Sequence, residues 1–555
     1  MKSLLKPVLF CVLFIYWSPK IIAQQFELKI HSTDSIQNNE FEGVLYNNKP
    51  TSKKEALSEV KMFSEKLHKL GYLHNKYSFT QLDSIFIAEF SLGTKIEFTR
   101  IYYKENVDPN FLKKITSSFN ATYFEIPFSQ TEATINSIVN YFEENGNSFT
   151  EVSLINQTIL TNILTTELSI NQSKERTIDR IVVKGYDEFP EKYFKNHFEL
   201  KPKSTFNINT LNKLNQQLSN LSFVTKIKAP EVLFTKDSTL VYVYLKKKSN
   251  NKFDGILGFS NNKNSNNLQL TGNINIALNN TFNKGEVLTL SWKSSVNENI
   301  SFESSFFTPY IYNSKLSPFL NFSIIKQDST FTNVKASIKL NYQINKSHSF
   351  NALIRNENSS TISANNTTTI KNFKKSIIGI SYAFNTKNYN SPLALEFGYL
   401  IGSRKTDATT INQKNIELLG NYTLSLTTKS SLLLKLQSEL LFSKNILENE
   451  LFRIGGVNSI RGFDELAILA SKYSIINFEY QYQLNDSSKI YTITDVGYLE
   501  NSIINQTSKI YSVGIGYFFI TEKSRTNLSY ALGKNSKTPF KLNNSKIHLK
   551  ITYFF

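Results

Sequence analysis

The sequence predicts an α+β run of β-α-α-β-β repeats followed by a sixteen-stranded antiparallel transmembrane β-barrel. Three observations predict it. The chain opens on an export signal, its first half repeats a mixed helix and strand order, and residues 253–555 carry almost only period-2 patterns. A chain of 555 residues exceeds one ordinary core, so several domains are expected.

The leader comes first. Lys2 and Lys6 precede an apolar run from Pro7 to Trp17, and Ile21-Ile22-Ala23-Gln24 supplies a small-residue cleavage site. That order is a signal peptide over 1–23. The run is too short to span a bilayer as a helix. The single cysteine, Cys11, lies inside the run and follows no lipobox, so no lipid anchor is expected. The mature chain then has no disulfide, no cysteine-based zinc site and no thiol nucleophile.

Three repeats are expected next, at 24–92, 93–173 and 174–250. The last is the clearest. Thr177 to Lys184 reads as a strand, Glu191 to Glu199 as a short helix, and Leu211, Leu214 and Leu218 line one helix face within 209–220. Phe223–Ala229 and Leu240–Leu245 then pair as strands. The second repeat follows with a strand at Lys95–Tyr103, helices at Pro109–Phe119 and Thr131–Asn145, and strands near Ser148–Ile155 and Ile163–Ser169. The first fits more loosely: an opening strand, a helix at Lys53–Leu70, then Tyr77–Leu82 and Ser84–Phe90.

Residues 251–555 are the predicted barrel. In 333–344, Val334, Ala336, Ile338, Leu340, Tyr342 and Ile344 share one face, opposed by Lys335, Ser337, Lys339, Asn341 and Gln343. Reading turn signals between such runs gives strands near 253–260, 267–278, 286–295, 299–308, 317–326, 332–344, 347–356, 374–384, 392–402, 414–427, 430–443, 472–484, 488–499, 508–520, 525–533 and 545–555. Nine to twelve residues is about the length a tilted strand needs to cross a bilayer. Lipid cannot satisfy an open sheet edge, so a membrane sheet must close, and an even strand number returns both ends to one side. A soluble sandwich alternates too. The export signal and the aromatic, one-sided faces favour the membrane.

Composition excludes much else. There are 43 Phe and 28 Tyr, 40% hydrophobic and 19% charged residues, too apolar for a disordered chain. The formal charge is +18, of which the leader carries three lysines. The remaining lysines are dispersed and form no isolated basic tract, so no nucleic-acid partner is expected. Six scattered histidines and the absence of HExxH, GxxxxGK[ST] and GxSxG leave no catalytic residue, metal site or cofactor to name.

The longest interstrand segment, 444–471, contains Gly455-Gly456-Val457-Asn458-Ser459-Ile460-Arg461-Gly462-Phe463. Glu479 lies on the polar face of its strand by alternation, and Asp495 shares a face with the small Gly497. A guanidinium offers planar, bidentate donors to carboxylates, and Gly455, Gly456 and Gly462 permit the backbone a re-entrant tip needs.

Exported repeats, a sixteen-stranded barrel, the GG-x4-RGF run and the two acids resemble the POTRA-plus-barrel outer-membrane assembly and transport family, which includes BamA, TamA and the two-partner secretion transporters. The resemblance implies an outer-membrane barrel with periplasmic repeats. It implies that the loop folds into the lumen so that Arg461 contacts Asp495 and Glu479. It also implies that Tyr553 and Phe555 form a C-terminal barrel signal. The expected partners are outer-membrane lipid, unfolded outer-membrane or secreted clients, and periplasmic or lipoprotein accessory factors, with Leu240–Leu245 or Lys95–Tyr103 as binding edges. The implied function is insertion or translocation of outer-membrane proteins without covalent chemistry. The alternative is a two-partner-type secretion pore for one dedicated protein. Three repeats lean towards the TamA-like branch. The short first strand, with Gly255 and Gly258, is expected to make a weak seam with the last.

Overall fold

The computed structural model describes residues 26–34, 41, 43–104, 109–261, 268–294, 299–328, 330–362, 369–386, 392–536 and 539–555, without the side chains of 109, 256–261 and 268–271. The leader, its cleavage site and Cys11 lie outside the described residues. The chain divides into two compact units. One holds the first two repeats, and the other holds most of the third repeat with the barrel.

In the first unit, Glu27–Ser32 pairs parallel with Ile85–Ser91, which pairs antiparallel with Lys76–Leu82. Helix Lys53–Lys69 covers this sheet and buries Ala56, Val60, Phe63 and Leu67, the i, i+4, i+7, i+11 face of its pattern. Ser52 caps its start, accepting from the Glu55 amide. This is the only α-helix described between the first and second strands, so the first repeat is β-α-β-β as described, the order its looser sequence pattern gives and one helix short of the full repeat.

The second repeat departs the other way. It contains helices Pro109–Ile115 and Thr131–Glu144 and strands Phe98–Tyr102, Glu151–Leu160 and Ile163–Asn171. An additional strand, Tyr123–Pro127, pairs with Phe98–Tyr102. Phe124 and Ile126 bury from it, but five residues ending in proline give too short an alternation to stand out.

In the third repeat Thr239–Lys247 is central. It pairs parallel with Arg180–Lys184 on one side, and antiparallel with Glu231–Phe234 and Val224–Lys226 on the other. This corrects an expectation: neither Leu240–Leu245 nor Lys95–Tyr103 is a free edge. Phe98–Tyr102 is likewise paired on both sides. The unbroken apolar run Leu240–Leu245 is what a central strand carries, whereas edge strands are blunted with charged residues. Edge strands of the first two repeats include the exposed Lys76–Leu82 and Glu151–Leu160.

The barrel closes with sixteen antiparallel strands. In order they are Lys252–Asn261, Leu268–Asn279, Val287–Ser294, Ile300–Phe307, Leu316–Gln327, Phe331–Gln343, His348–Thr361, Phe373–Thr386, Leu393–Lys405, Thr410–Ser425, Ser430–Ser443, Lys472–Asn485, Ser488–Asn501, Gln506–Ile520, Ser524–Lys534 and Lys546–Phe554. Each falls on its predicted segment. The outward residues stay bare: Ile338, Ile354 and Ile380 are 55%, 55% and 66% exposed. A belt of exposed isoleucine and aromatic side chains of this extent is covered by lipid, not water.

The third repeat docks against one end of the barrel. Tyr186 Oη donates to Asn283 Oδ1 at 2.7 Å, and Lys192 Nζ donates to the Pro309 carbonyl at 2.6 Å. His197 Nδ1 lies 3.0 Å from Tyr310 Oη, and the Tyr193 and Tyr310 rings meet edge to face at 5.2 Å. Burial raises the Tyr310 phenol to about 12. This end, where strand 1 begins and strand 16 finishes, is the repeat-side end below.

Candidate functional site

The site is built from segment 444–471 and the lumenal walls it meets. Phe452–Ile454 pairs with Ile468–Ala470 as a short stalk, which carries the tip 455–467. Gly455 and Gly456 adopt φ of +117° and +92°, where a side chain would be strained, and turn the chain back on itself. The Gly456 amide donates to the Ile460 carbonyl at 3.1 Å and closes the tip. Ile460 is fully buried against Gly497, where a Cβ would already crowd Ile510 at 2.7 Å. Gly462 (φ +78°) lies so close to strand 15 that a Cβ there would sit 2.5 Å from the Gly533 nitrogen, and Phe463 fills the space above Gly533.

These contacts aim Arg461 at two carboxylates. Its backbone amide and its Nε each donate to Asp495 Oδ2 at 3.0 Å, and one Nη donates to Asp495 Oδ1. The other Nη donates to Glu479 Oε1. Gln481 Nε2 donates to the second Glu479 oxygen at 2.7 Å, so both acids are saturated. The three side chains are 7%, 0% and 8% exposed. Burial works against the Arg461 charge, but the Asp495 and Glu479 carboxylates outweigh it and raise its pKa. Asn477 Nδ2 also grips the tip through the Ser459 carbonyl at 2.8 Å. The structure thus brings together Gly455, Gly456, Arg461, Gly462, Phe463, Glu479 and Asp495.

Tyr553 and Phe555 lie elsewhere, at the barrel closure. Lys252 lies opposite Phe554 and Phe253 opposite Tyr553, and these are the only described pairs between strands 1 and 16. Every other neighbouring pair of strands runs in register for eight or more residues. The Phe555 amide donates to the Asn251 carbonyl at 3.1 Å, and Ser249 Oγ donates to the Phe555 carbonyl.

Two features of the loop escaped the sequence reading. A second anchor precedes the tip. Glu450, fully buried, accepts from Arg404 Nη1 and from Gln413 Nε2 at 2.8 Å, with Lys375 Nζ 3.7 Å away. Asn449 donates to Ser359 Oγ at 2.6 Å and to the Lys371 carbonyl at 2.8 Å. The signal was present as Lys375, Arg404 and Gln413 on lumenal faces, but nothing local shows that three separate strands converge on one glutamate. Beyond the tip, Asp464 meets Lys546 of strand 16 at 2.7 Å, and Glu465 meets Lys293 of strand 3 at 2.8 Å.

Residues 176–247 match the family described as POTRA, surface antigen variable number repeat. Among solved structures, the fold is similar to BamA from Haemophilus ducreyi lacking POTRA domains 1–3. The TM-score is 0.50 at 13% identity, covering 82% of this chain and 99% of that one. It is also similar to CdiB from Acinetobacter baumannii, with TM-score 0.51 and 16% identity over 84% and 91% of the two chains. CdiB from Escherichia coli gives 0.54 and 11% over 90% and 97%. The chain carries a POTRA repeat ahead of a closed sixteen-stranded barrel, and shares its fold with those structures. No curated protein matches it in sequence. For a POTRA-plus-barrel protein, the arrangement offers a loop pinned to opposite lumenal walls and a sheet that closes through two residue pairs.

Proposed function

We propose that this protein resides in the bacterial outer membrane with its repeats in the periplasm, and inserts or translocates other outer-membrane proteins without covalent chemistry. The observation that carries the reading is the seam. A barrel meant only to persist in lipid gains from pairing every edge, since an unpaired backbone group in hydrocarbon costs several kcal/mol. Here, among the described residues, strands 1 and 16 meet only at Lys252–Phe554 and Phe253–Tyr553. The edges above those pairs can template a client strand by β-augmentation. The exposed edges Lys76–Leu82 and Glu151–Leu160 give the repeats the same means of holding a client or an accessory factor.

A disulfide tests it. Phe253→Cys with Tyr553→Cys places two thiols directly opposite, on the outward face of an antiparallel pair. Oxidation should abolish client assembly, and reduction should restore it. Full activity of the oxidised protein would refute the role of the seam. The secretion-pore reading is separated by depleting the protein and quantifying outer-membrane proteins: loss of many barrels supports insertion, and loss of one exported protein supports dedicated transport.

A further inference from the structure

We propose that the lumen beside the seam selects client strands that carry acidic residues on their lumen-facing side. This rests on the reading that a client pairs at the seam, and it names the chemistry of the client. A cavity of about 560 Å3 occupies the repeat-side half of the lumen, walled by Lys252, Lys435, Lys489, Arg525 and Lys550. Two acids share the wall, and both are already engaged. Glu479 accepts from Arg461 and Gln481, and Asp254 accepts from Asn275 Nδ2 at 2.7 Å. Among the described residues, none of the five cations lies within ion-pair distance of a carboxylate. Lys489 Nζ donates instead to Gln481 Oε1 at 2.7 Å, and the Arg525 guanidinium lies over the Phe518 and Phe554 rings at 5.7 Å each.

Their placement is the argument. Lys252 stands on strand 1 and Lys550 on strand 16, the two edges of the seam, with Arg525 on the neighbouring strand 15. Lys435 and Lys489 face them from strands 11 and 13. A strand added to either edge continues the sheet, so its apolar side meets lipid and its other side meets this cavity. Its inward residues recur about every 6.8 Å along the strand. Carboxylates at those positions would meet unpaired cations in a shielded lumen, whereas lysines there would be repelled. A lipid phosphate carries the same charge, but the cavity is lined by lumen-facing strand residues and the loop tip and reaches the strands on both sides of the seam, which favours polypeptide.

The test uses the full-length protein in phosphatidylcholine nanodiscs and peptides of about ten residues, enough to span the bilayer as a strand. One alternates apolar residues with Glu, one replaces Glu by Gln, and one has the Glu composition without alternation. Binding is compared with the variant Lys435→Gln/Lys489→Gln/Arg525→Gln/Lys550→Gln, whose folding is checked by heat-modifiable mobility. Lys435→Gln alone, away from the seam, serves if the combination misfolds, with a smaller effect. The alternating Glu peptide should bind about tenfold tighter than the Gln peptide, from a few partly screened ion pairs. The difference should vanish in the variant and at about 0.5 M salt, with Gln-peptide binding unchanged. Equal binding of the Glu and Gln peptides overturns the charge selection and leaves the seam reading intact. Equal binding of the non-alternating peptide overturns strand recognition. Loss of the preference in phosphatidylglycerol nanodiscs assigns the site to headgroups and overturns the proposal. If neither alternating peptide binds, the seam reading fails and the proposal with it.

Discussion

Replacing Arg461 by alanine removes three side-chain donors from two buried carboxylates. Truncating one partner of a buried ion pair costs about 3–5 kcal/mol, because the remaining charge is left without compensation. Two contacts soften the loss here. The backbone amide of residue 461 still reaches Asp495, and Gln481 still reaches Glu479. The lower end, about 3 kcal/mol, is therefore the expected cost. It falls on docking of the tip and not on the barrel, whose ladders do not pass through residue 461. A cost of that size raises the released fraction of the loop about a hundredfold. Limited proteolysis of the folded, detergent-solubilised protein reads this directly: cleavage within 444–471 should accelerate while heat-modifiable mobility stays unchanged, and complementation should fall. Arg461→Lys keeps the charge but loses the planar fork, so it should lie between wild type and alanine. Combined with Asp495→Asn, the alanine variant should lose less than the sum of the two, since they share one interaction. Wild-type cleavage and full complementation in Arg461→Ala would refute the reasoning.

Two further perturbations test the surroundings. Glu450→Gln strands the buried Arg404 and Lys375 cations and should expose 445–451 to protease while the tip remains protected. Protection of both segments would show that the second anchor is dispensable. Gly285→Ala places a Cβ 2.0 Å from Tyr193 Oη at a φ of +73°, a strain of about 1–3 kcal/mol. It should raise hydrogen exchange at 308–315, where the third repeat docks, without lowering the temperature at which the barrel unfolds.

The barrel was legible because lipid imposes one rule on every strand. Each crossing segment shows an apolar side and a polar side with period two, so a dozen residues of sequence suffice to place it. The Arg461 site was legible for a different reason, since a dense run of glycines around one arginine resembles a motif already tied to acids on two later strands. The repeats were less so. Tyr123–Pro127 is too short to show a period, and the Leu240–Leu245 run suggests an available edge although its apolarity marks a centre. The Glu450 anchor was invisible for want of locality, because its partners Lys375, Arg404 and Gln413 are brought together only by closure of the sheet.

The loop and the seam form one mechanical system, and the magnitudes say which part is stiff. Asp464 and Glu465 are adjacent, yet one bridges to Lys546 on strand 16 and the other to Lys293 on strand 3, so the tip reaches across the edge where strands 1 and 16 meet. Parting those strands stretches or breaks one bridge. Both bridges are substantially exposed, and pairs of that kind contribute about 0–1 kcal/mol each. They therefore register the position of the seam without holding it shut. The Arg461 cluster is buried and several-fold stronger, so the tip stays with strands 12 and 13 while the weak bridges exchange. Were the seam to open as proposed, strand 16 would move relative to a fixed tip. With two register pairs here against eight or more at every other described strand boundary, this edge is the one expected to yield first.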